Sequence, residues 1–217
     1  MQRAATTVLT ILGAQPSGDT GARAAAAALS AGRNVRLVGG EAHAGEPHAL
    51  GTLGAAVRDA VAGSRATYTL TLFDPLAVLA GAWTATFDGQ ANHGDLEVAV
   101  SATQAAAESG AITLPDYYLA ADLDTWPATR RHLYLGVLHE LAPQRVIPLP
   151  GTPVPAVLSE IGPARWWPPL SRVLQQLASS VPDAAPRRGP RGVGLLDPAG
   201  GAHPPASELA TSADDVG

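Results

Sequence analysis

The stretch from Thr6 to Glu46 constrains the fold more than any other part of the chain. It opens with an apolar run rich in β-branched residues, Thr6 to Leu12, and passes through a polar, glycine-containing loop into the alanine-rich segment 22–31. A second apolar run, Val35 to Val38, follows. Short apolar runs bounded by turn residues are typical of buried strands. The pattern therefore predicts a strand, a loop, a helix and a second strand that returns parallel to the first.

The rest of the chain continues this alternation. Further strands are predicted at 67–73, 112–119 and 145–149, and helices at 49–62, 96–109, 124–141, 153–161 and 169–180. Residues 76–83 fit a short helix or a strand, and residues 87–95 have the composition of a loop. Such alternation predicts an α/β protein, a three-layer α/β/α sandwich around a mostly parallel, Rossmann-like sheet.

Composition divides the chain into a core and a tail. The 217 residues are 46% hydrophobic, which is enough for one domain with its own core. From Pro182 onward the sequence is mostly Pro, Gly, Ala, Ser and Asp. We predict a single α/β domain over residues 1–181 and a disordered tail over residues 182–217.

Charge and residue usage exclude several classes of function. The formal net charge is −5, and all 14 basic residues are Arg and lie scattered, which argues against nucleic-acid binding. The absence of Cys excludes disulfides, thiolate metal sites and a Cys nucleophile.

The sequence also bears on location. No apolar run approaches the roughly 18 residues of a transmembrane helix, so we expect a cytoplasmic protein that does not interact with membranes. Residues 1–14 have some character of a signal peptide, but a first strand is the preferred interpretation because cleavage would remove it.

Two loops are expected to border any functional site. In parallel sheets, ligands bind outside the carboxyl ends of the strands. The loops at 14–21 and 39–47 both leave from such ends in the predicted fold.

Three segments resemble the LmbE/PIG-L family of N-deacetylases. Val8–Asp19 is similar to the family's first strand, which ends in an Ala-His-Pro-Asp-Asp-Glu loop. Val35–Glu41 is similar to its second strand, which ends in a Gly-Glu loop, and Phe87–Leu96 to its Gly-His-Pro-Asp-His loop. A later helix with His139, followed by Gln144, is a weaker match, and the resemblance spans Thr6 to Leu149.

The resemblance implies a metal chemistry that this chain has lost. Family members hydrolyse N-acetyl groups of amino sugars with a zinc ion held by two His and one Asp, and a further Asp is the base. Here Gln15, Gly18 and Leu96 stand at the three ligand positions, and Ser17 stands at the base. Gly and Leu side chains offer no ligand and Gln is a poor one. We therefore expect no zinc and no other cofactor.

The positions that survive define the candidate site. The resemblance places His93 at the family's oxyanion-stabilising His and Asp95 at a supporting Asp, so these two are the candidate catalytic residues. The predicted ligand-binding rim has six members: Gln15, Ser17, Asp19, Glu41, His93 and Asp95.

Two further features have competing interpretations. His43 and His48 could join His93 and an Asp in a rearranged metal site, although solvated loop residues are the simpler interpretation. Trp166 and Trp167 could line a ligand groove, but a packed hydrophobic anchor is preferred.

Three functions remain open. The favoured one is a metal-free relative of the deacetylases that binds a small polar ligand, such as an amino sugar or N-acyl amine, or serves as a non-catalytic partner in a homo- or hetero-oligomer. The second is an active hydrolase of the N-deacetylase or amidase class with a rearranged metal site or no metal. The third is a nucleotide-binding protein whose loop 13–21 cradles phosphate, but the loop matches neither the dinucleotide fingerprint nor the P-loop and the chain has no Lys.

Overall fold

A computed structural model describes residues 6–14, 20–38, 47–149, 155–161 and 167–182 of the chain. All of them belong to the first of the two units into which the chain divides, Met1–Asp183. The strands are β1 (Thr7–Leu12), β2 (Val35–Val38), β3 (Tyr68–Thr71), β4 (Tyr117–Ala121) and β5 (Val146–Leu149). The helices are α1 (Thr20–Ser30), α2 (Pro47–Ala62), α3 (Ala77–Phe87), α4 (His93–Glu108), α5 (Ala128–Arg131), α6 (His139–Leu141), α7 (Pro155–Glu160) and α8 (Leu170–Ser179). A 3₁₀ turn (Leu123–Thr125) precedes α5, and a π-helix (His132–Leu138) joins α5 to α6.

The five strands form one sheet in the order β2-β3-β1-β4-β5. Every pairing is parallel, and Leu9 of β1 lies opposite Leu70 of β3 and Tyr117 of β4. The α/β class and the Rossmann-like parallel sheet predicted from the sequence are confirmed. The strand order adds that β1 is central and that β3, not β2, is its neighbour on one side.

Alternate residues of β4 enter two separate buried clusters. Tyr118 and Ala120 belong to a cluster that also draws on α3, α4, the π-helix and α8. Tyr117, Leu119 and Ala121 belong to a second cluster that includes the buried face of α1. Successive side chains of a strand point to opposite faces of the sheet, so the two clusters lie on opposite faces.

One predicted strand begins later than expected. The sequence predicts a strand over 112–119, whereas β4 starts at Tyr117. Ile112 packs instead with Leu50 and Phe73 in a third small cluster. Pro115 has no N–H to give to a ladder, and its carbonyl accepts a hydrogen bond from Trp167 Nε1 at 2.6 Å.

The ambiguous run after β3 is helical. It forms α3, which extends to Phe87, and α4 begins at His93, so the predicted loop 87–95 shrinks to the residues between the two helices. The early start of α4 follows from its cap: Asn92 Oδ1 accepts from the Asp95 amide, and Asp95 Oδ2 accepts from the Asn92 amide.

The last part of the domain matches its prediction in outline. The helix predicted over 124–141 is divided into a 3₁₀ turn, α5, the π-helix and α6. Trp167 is half-buried and packs edge-on against Tyr118, as expected for an anchor, while Trp166 and the predicted tail from 183 onward lie outside the described residues. No helix in the part of the chain that the structure describes is both long and apolar enough to cross a membrane.

Candidate functional site

The strand order creates a topological switch point between β1 and β4. The connection from β1 leads across β3 to β2, whereas the connection from β4 leads the opposite way to β5. Open α/β sheets bind ligands in the crevice outside the carboxyl ends of the strands at such a point. The residues that follow β1 and β4 are therefore the first place to search for a site.

At this point Asp122 lies against the first turn of α1. Asp122 follows β4 directly, is exposed, and has a left-handed backbone with φ 56° and ψ 44°. A Cβ added to Gly21 would stand 2.5 Å from its Oδ2, so only glycine fits at position 21 while the carboxylate is there. The Asp122 carbonyl accepts from the amide and the hydroxyl of Thr125, at 3.0 and 2.8 Å, which fixes the left-handed turn.

Asp74, beyond the carboxyl end of β3, is the hub of a buried polar network. Its Oδ1 accepts from the Leu76 amide at 2.9 Å and from the Tyr118 hydroxyl at 3.1 Å. Its Oδ2 accepts from the Tyr134 hydroxyl. Asp74 is 2% exposed and both tyrosines are fully buried, so the network is closed to solvent.

Arg130 of α5 connects this network to the end of β1. Its Nε donates to the carbonyl of Gly13, the first residue after β1, at 3.1 Å. The guanidinium lies over the rings of Trp126 and Tyr134, with Cζ 5.3 and 5.0 Å from their centroids. Arg130 is 5% exposed. The buried guanidinium of Arg130 thus links the carboxyl end of β1 to α5.

The proton affinities of the network follow from its burial. Desolvation raises the pKa of Asp74 above its usual value, although the hydrogen bond from Tyr134 and the nearby Arg130 charge act in the opposite direction. Desolvation and then the Asp74 carboxylate raise the pKa of Tyr118 and of Tyr134 well above their usual range. Both hydroxyls therefore stay protonated and act as donors to Asp74. A carboxylate so fully engaged is not available as a base or a ligand.

Most of the residues predicted to form the site lie outside the described residues. These are Gln15, Ser17, Asp19 and Glu41 of the ligand rim. His43 also lies outside them, and His48 is on α2 with an undescribed side chain.

The two predicted catalytic residues both lie in the first turn of α4. His93 is its first residue and is half-buried. Asp95 is exposed, and its carboxylate accepts from the Asn92 amide at 3.1 Å as part of the helix cap. That contact gives Asp95 a structural role, while its predicted role at a ligand stays a prediction.

The metal positions suggested by the resemblance gain no support from the described residues. Leu96, at the third ligand position, is 2% exposed and belongs to the same hydrophobic cluster as Leu12. Within the described ranges no group of three or more His, Asp or Glu side chains could hold a metal ion.

No protein-family model, curated protein or solved structure matches the chain. The resemblance to the LmbE/PIG-L deacetylases therefore stays a prediction from three short segments.

Sequence reasoning missed the residues that the strand order brings to the switch point. Asp74 had a usable signal, because an acidic residue directly after an apolar strand falls at a carboxyl end. Asp122 has the same signal after β4. Arg130 and Tyr134 had none, since only the packing of α5 and the π-helix over the sheet brings them to Asp74.

Proposed function

We propose that this chain binds a small polar ligand at the switch point between β1 and β4 and does not hydrolyse it. The observation that carries the proposal is the exposed carboxylate of Asp122, which lies at the start of α1 in a left-handed turn held by Thr125. Left-handed backbone at a residue other than glycine costs free energy and is concentrated at functional positions. A carboxylate accepts hydrogen bonds only, so it suits a ligand with ammonium or hydroxyl groups. Amino sugars, the class suggested by the resemblance, carry both.

The layered arrangement of the chain supports this location. Alternate residues of β4 belong to two buried clusters on opposite faces of the sheet. From these two clusters we infer a three-layer α/β/α sandwich. Helices on both faces leave the ends of the strands as the open region of such a sheet.

Loss of hydrolysis is the second part of the proposal. Asp74 has three hydrogen bonds on its two oxygens and is buried, so it does not supply a base at this edge. Leu96 is packed in the core where the family has a zinc ligand. Hydrolysis needs a water activated by a metal or by a general base, and neither Asp74 nor position 96 supplies one here.

Calorimetric titration with glucosamine, N-acetylglucosamine and glucose tests the binding site. We expect glucosamine to bind best and Asp122→Asn to weaken its binding by roughly 10- to 150-fold, because a charge-assisted hydrogen bond contributes roughly 1.5–3 kcal/mol. The matched control is Asp124→Asn, since Asp124 is also exposed and lies in the adjacent 3₁₀ turn. Equal affinities for the two variants would remove Asp122 from the site, and failure of all three sugars to bind would favour a partner-subunit role.

Elemental analysis of the purified protein tests the metal. We expect far less than one zinc per chain. One zinc per chain that is lost in His93→Ala would support the alternative, an active hydrolase with a rearranged metal site.

A phosphate-bearing ligand is a second candidate, favoured by the loop between the central strand and α1. Gly13, Gly18 and Thr20 have the spacing of the P-loop, and Asp19 stands where that motif has its lysine. The wild-type chain should then bind ADP, and Asp19→Lys should strengthen that binding, while Asp124→Lys, which makes the same change of charge elsewhere, should leave it unchanged. If the wild type does not bind ADP, the phosphate candidate is rejected and the sugar candidate is unaffected.

A further inference from the structure

The helix between β4 and β5 contains a π-helical segment, His132–Leu138. The amide of His139 donates to the carbonyl of Tyr134, five residues earlier, instead of the four of an α-helix. π turns are rare and are often found at functional sites. The sequence of the segment includes no proline, so the wide turn needs another cause.

The buried side of the turn is fixed by Tyr134. Its hydroxyl donates to Asp74, which also accepts from Tyr118 of β4 and from the Leu76 amide. This hydrogen bond ties the π-helix to Asp74. Breaking this bond would leave a fully buried carboxylate oxygen and hydroxyl unpaired.

The opposite side of the turn carries His132, which is exposed. Its ring lies 5.7 Å from the ring of Phe87 and 6.0 Å from that of Trp83, measured between centroids. Within the turn, a Cβ on Gly136 would stand 2.7 Å from Nδ1 of His132. The position of this imidazole therefore depends on how the turn is wound and on the absence of a side chain at residue 136.

We propose that the π turn is a two-state element whose winding is set by the Tyr134–Asp74 hydrogen bond and is transmitted to the protein surface by His132. Without that bond the segment can wind as an α-helix. An α-helix rotates by about 100° per residue. Rewinding the segment would therefore change the angle about the helix axis between the side chains of Tyr134 and His132. The imidazole leaves the Phe87 and Trp83 rings in that state. The turn couples the buried network around Asp74 to the exposed imidazole of His132. This coupling does not depend on the nature of the ligand.

The Hε1 proton of His132, observed by NMR in the full chain and assigned through His132→Asn, reports the state of the turn. Ring currents of Phe87 and Trp83 shift it in the wild type. In Tyr134→Phe we expect the shift to move to that of a solvated histidine. In Tyr118→Phe we expect it to stay, because this variant removes a hydroxyl from the same carboxylate but from a strand.

Asp74→Asn decides the question if Tyr134→Phe does not fold. It removes the charged acceptor of the Tyr134 hydroxyl and should move the same resonance in the same direction. Gly136→Ala displaces His132 by direct contact and gives the shift of an imidazole that has left the rings, and Gly81→Ala is its control, since no atom lies within 4 Å of a Cβ at position 81 of α3. Equal responses of the two tyrosine variants, or a wild-type His132 shift in Asp74→Asn, would overturn the proposal.

Discussion

A carboxylate as deeply buried as Asp74 costs several kcal/mol unless its charge and its lone pairs are compensated. Here the Tyr118 and Tyr134 hydroxyls and the Leu76 amide satisfy its oxygens, and Arg130 supplies the opposite charge. The compensating groups come from β4, the π-helix and α5, together with the Leu76 amide just before α3. Asp74 therefore links these parts of the domain to the end of β3.

The pH dependence of stability should carry the signature of Asp74. Its pKa is raised in the folded protein by desolvation, so its contribution to the free energy of unfolding is largest below about pH 4 and falls as the pH rises through the folded value. Asp74→Asn has nearly the same shape and does not titrate. The unfolding free energy of the wild type minus that of Asp74→Asn should therefore decrease from about pH 4 towards neutrality.

Urea unfolding at several pH values measures this difference. Asp124→Asn, which makes the same substitution at an exposed residue, is measured beside it as the control. A difference for Asp74→Asn that grows with pH would mean that the network lowers the pKa of the carboxyl instead of raising it.

Gly21 provides a second test at the scale of one residue. Gly21→Ala places a methyl group 2.5 Å from Oδ2 of Asp122, and overpacking of this kind costs about 1–3 kcal/mol. In Gly21→Ala combined with Asp122→Gly the clash is gone and glycine adopts the left-handed turn freely, so most of the loss should be recovered. Gly51→Ala, with no atom within 4 Å of the new Cβ, should be neutral or stabilising by up to about 1 kcal/mol. Thermal unfolding of the wild type, Gly21→Ala, Asp122→Gly and the double variant gives the cycle, and additive effects of the two substitutions would contradict the contact.

Among the elements, α4 shows how a local cap determines where a helix begins. The reciprocal bonds between Asn92 and Asp95 start the helix within the stretch whose composition predicts a loop. The predicted site residues His93 and Asp95 thereby become part of a helix. Their backbone is fixed by hydrogen bonds that do not involve a ligand.

Substitutions at this cap separate structure from binding. Asn92→Ala and Asp95→Ala should each lower the free energy of unfolding by about 1 kcal/mol, because each removes one of the two reciprocal side-chain hydrogen bonds of the cap. If Asp95 acts only as a cap, both variants should bind glucosamine equally. Weaker binding in Asp95→Ala alone, measured by calorimetry, would show that this carboxylate contacts the ligand.

The elements themselves were predictable to the extent that local chemistry decides them. The apolar, β-branched runs at Thr7–Leu12 and Val35–Val38 form strands as expected, because β-branched residues favour extended backbone. The insertion of β3 between them was not predictable, since strand order depends on long-range packing. The same holds for the π-helix and for the joining of Arg130 to Gly13, which are 117 residues apart.

Helix α8 completes the larger of the two main hydrophobic clusters. Val173, Leu174 and Leu177 of α8 are buried in it. Trp83 of α3 fastens the end of the helix, because its Nε1 donates to the Leu177 carbonyl at 2.9 Å and to Ser180 Oγ at 3.0 Å. α8 is therefore an integral part of the domain.

Two truncations test the extent of the domain. A chain that ends at Pro169 loses four buried apolar side chains, those of Val173, Leu174, Leu177 and Val181, each of which contributes about 1.5–3 kcal/mol. The sum is comparable to the roughly 5–15 kcal/mol that holds a domain folded, so cooperative unfolding should be lost. A chain that ends at Pro182 keeps α8 and its contacts with Trp83, and it should unfold at nearly the same urea concentration as the full chain. A cooperative transition in the shorter chain would show that α8 is peripheral. Unfolding of the longer one would show that the domain needs residues beyond 182, against the boundary predicted from composition.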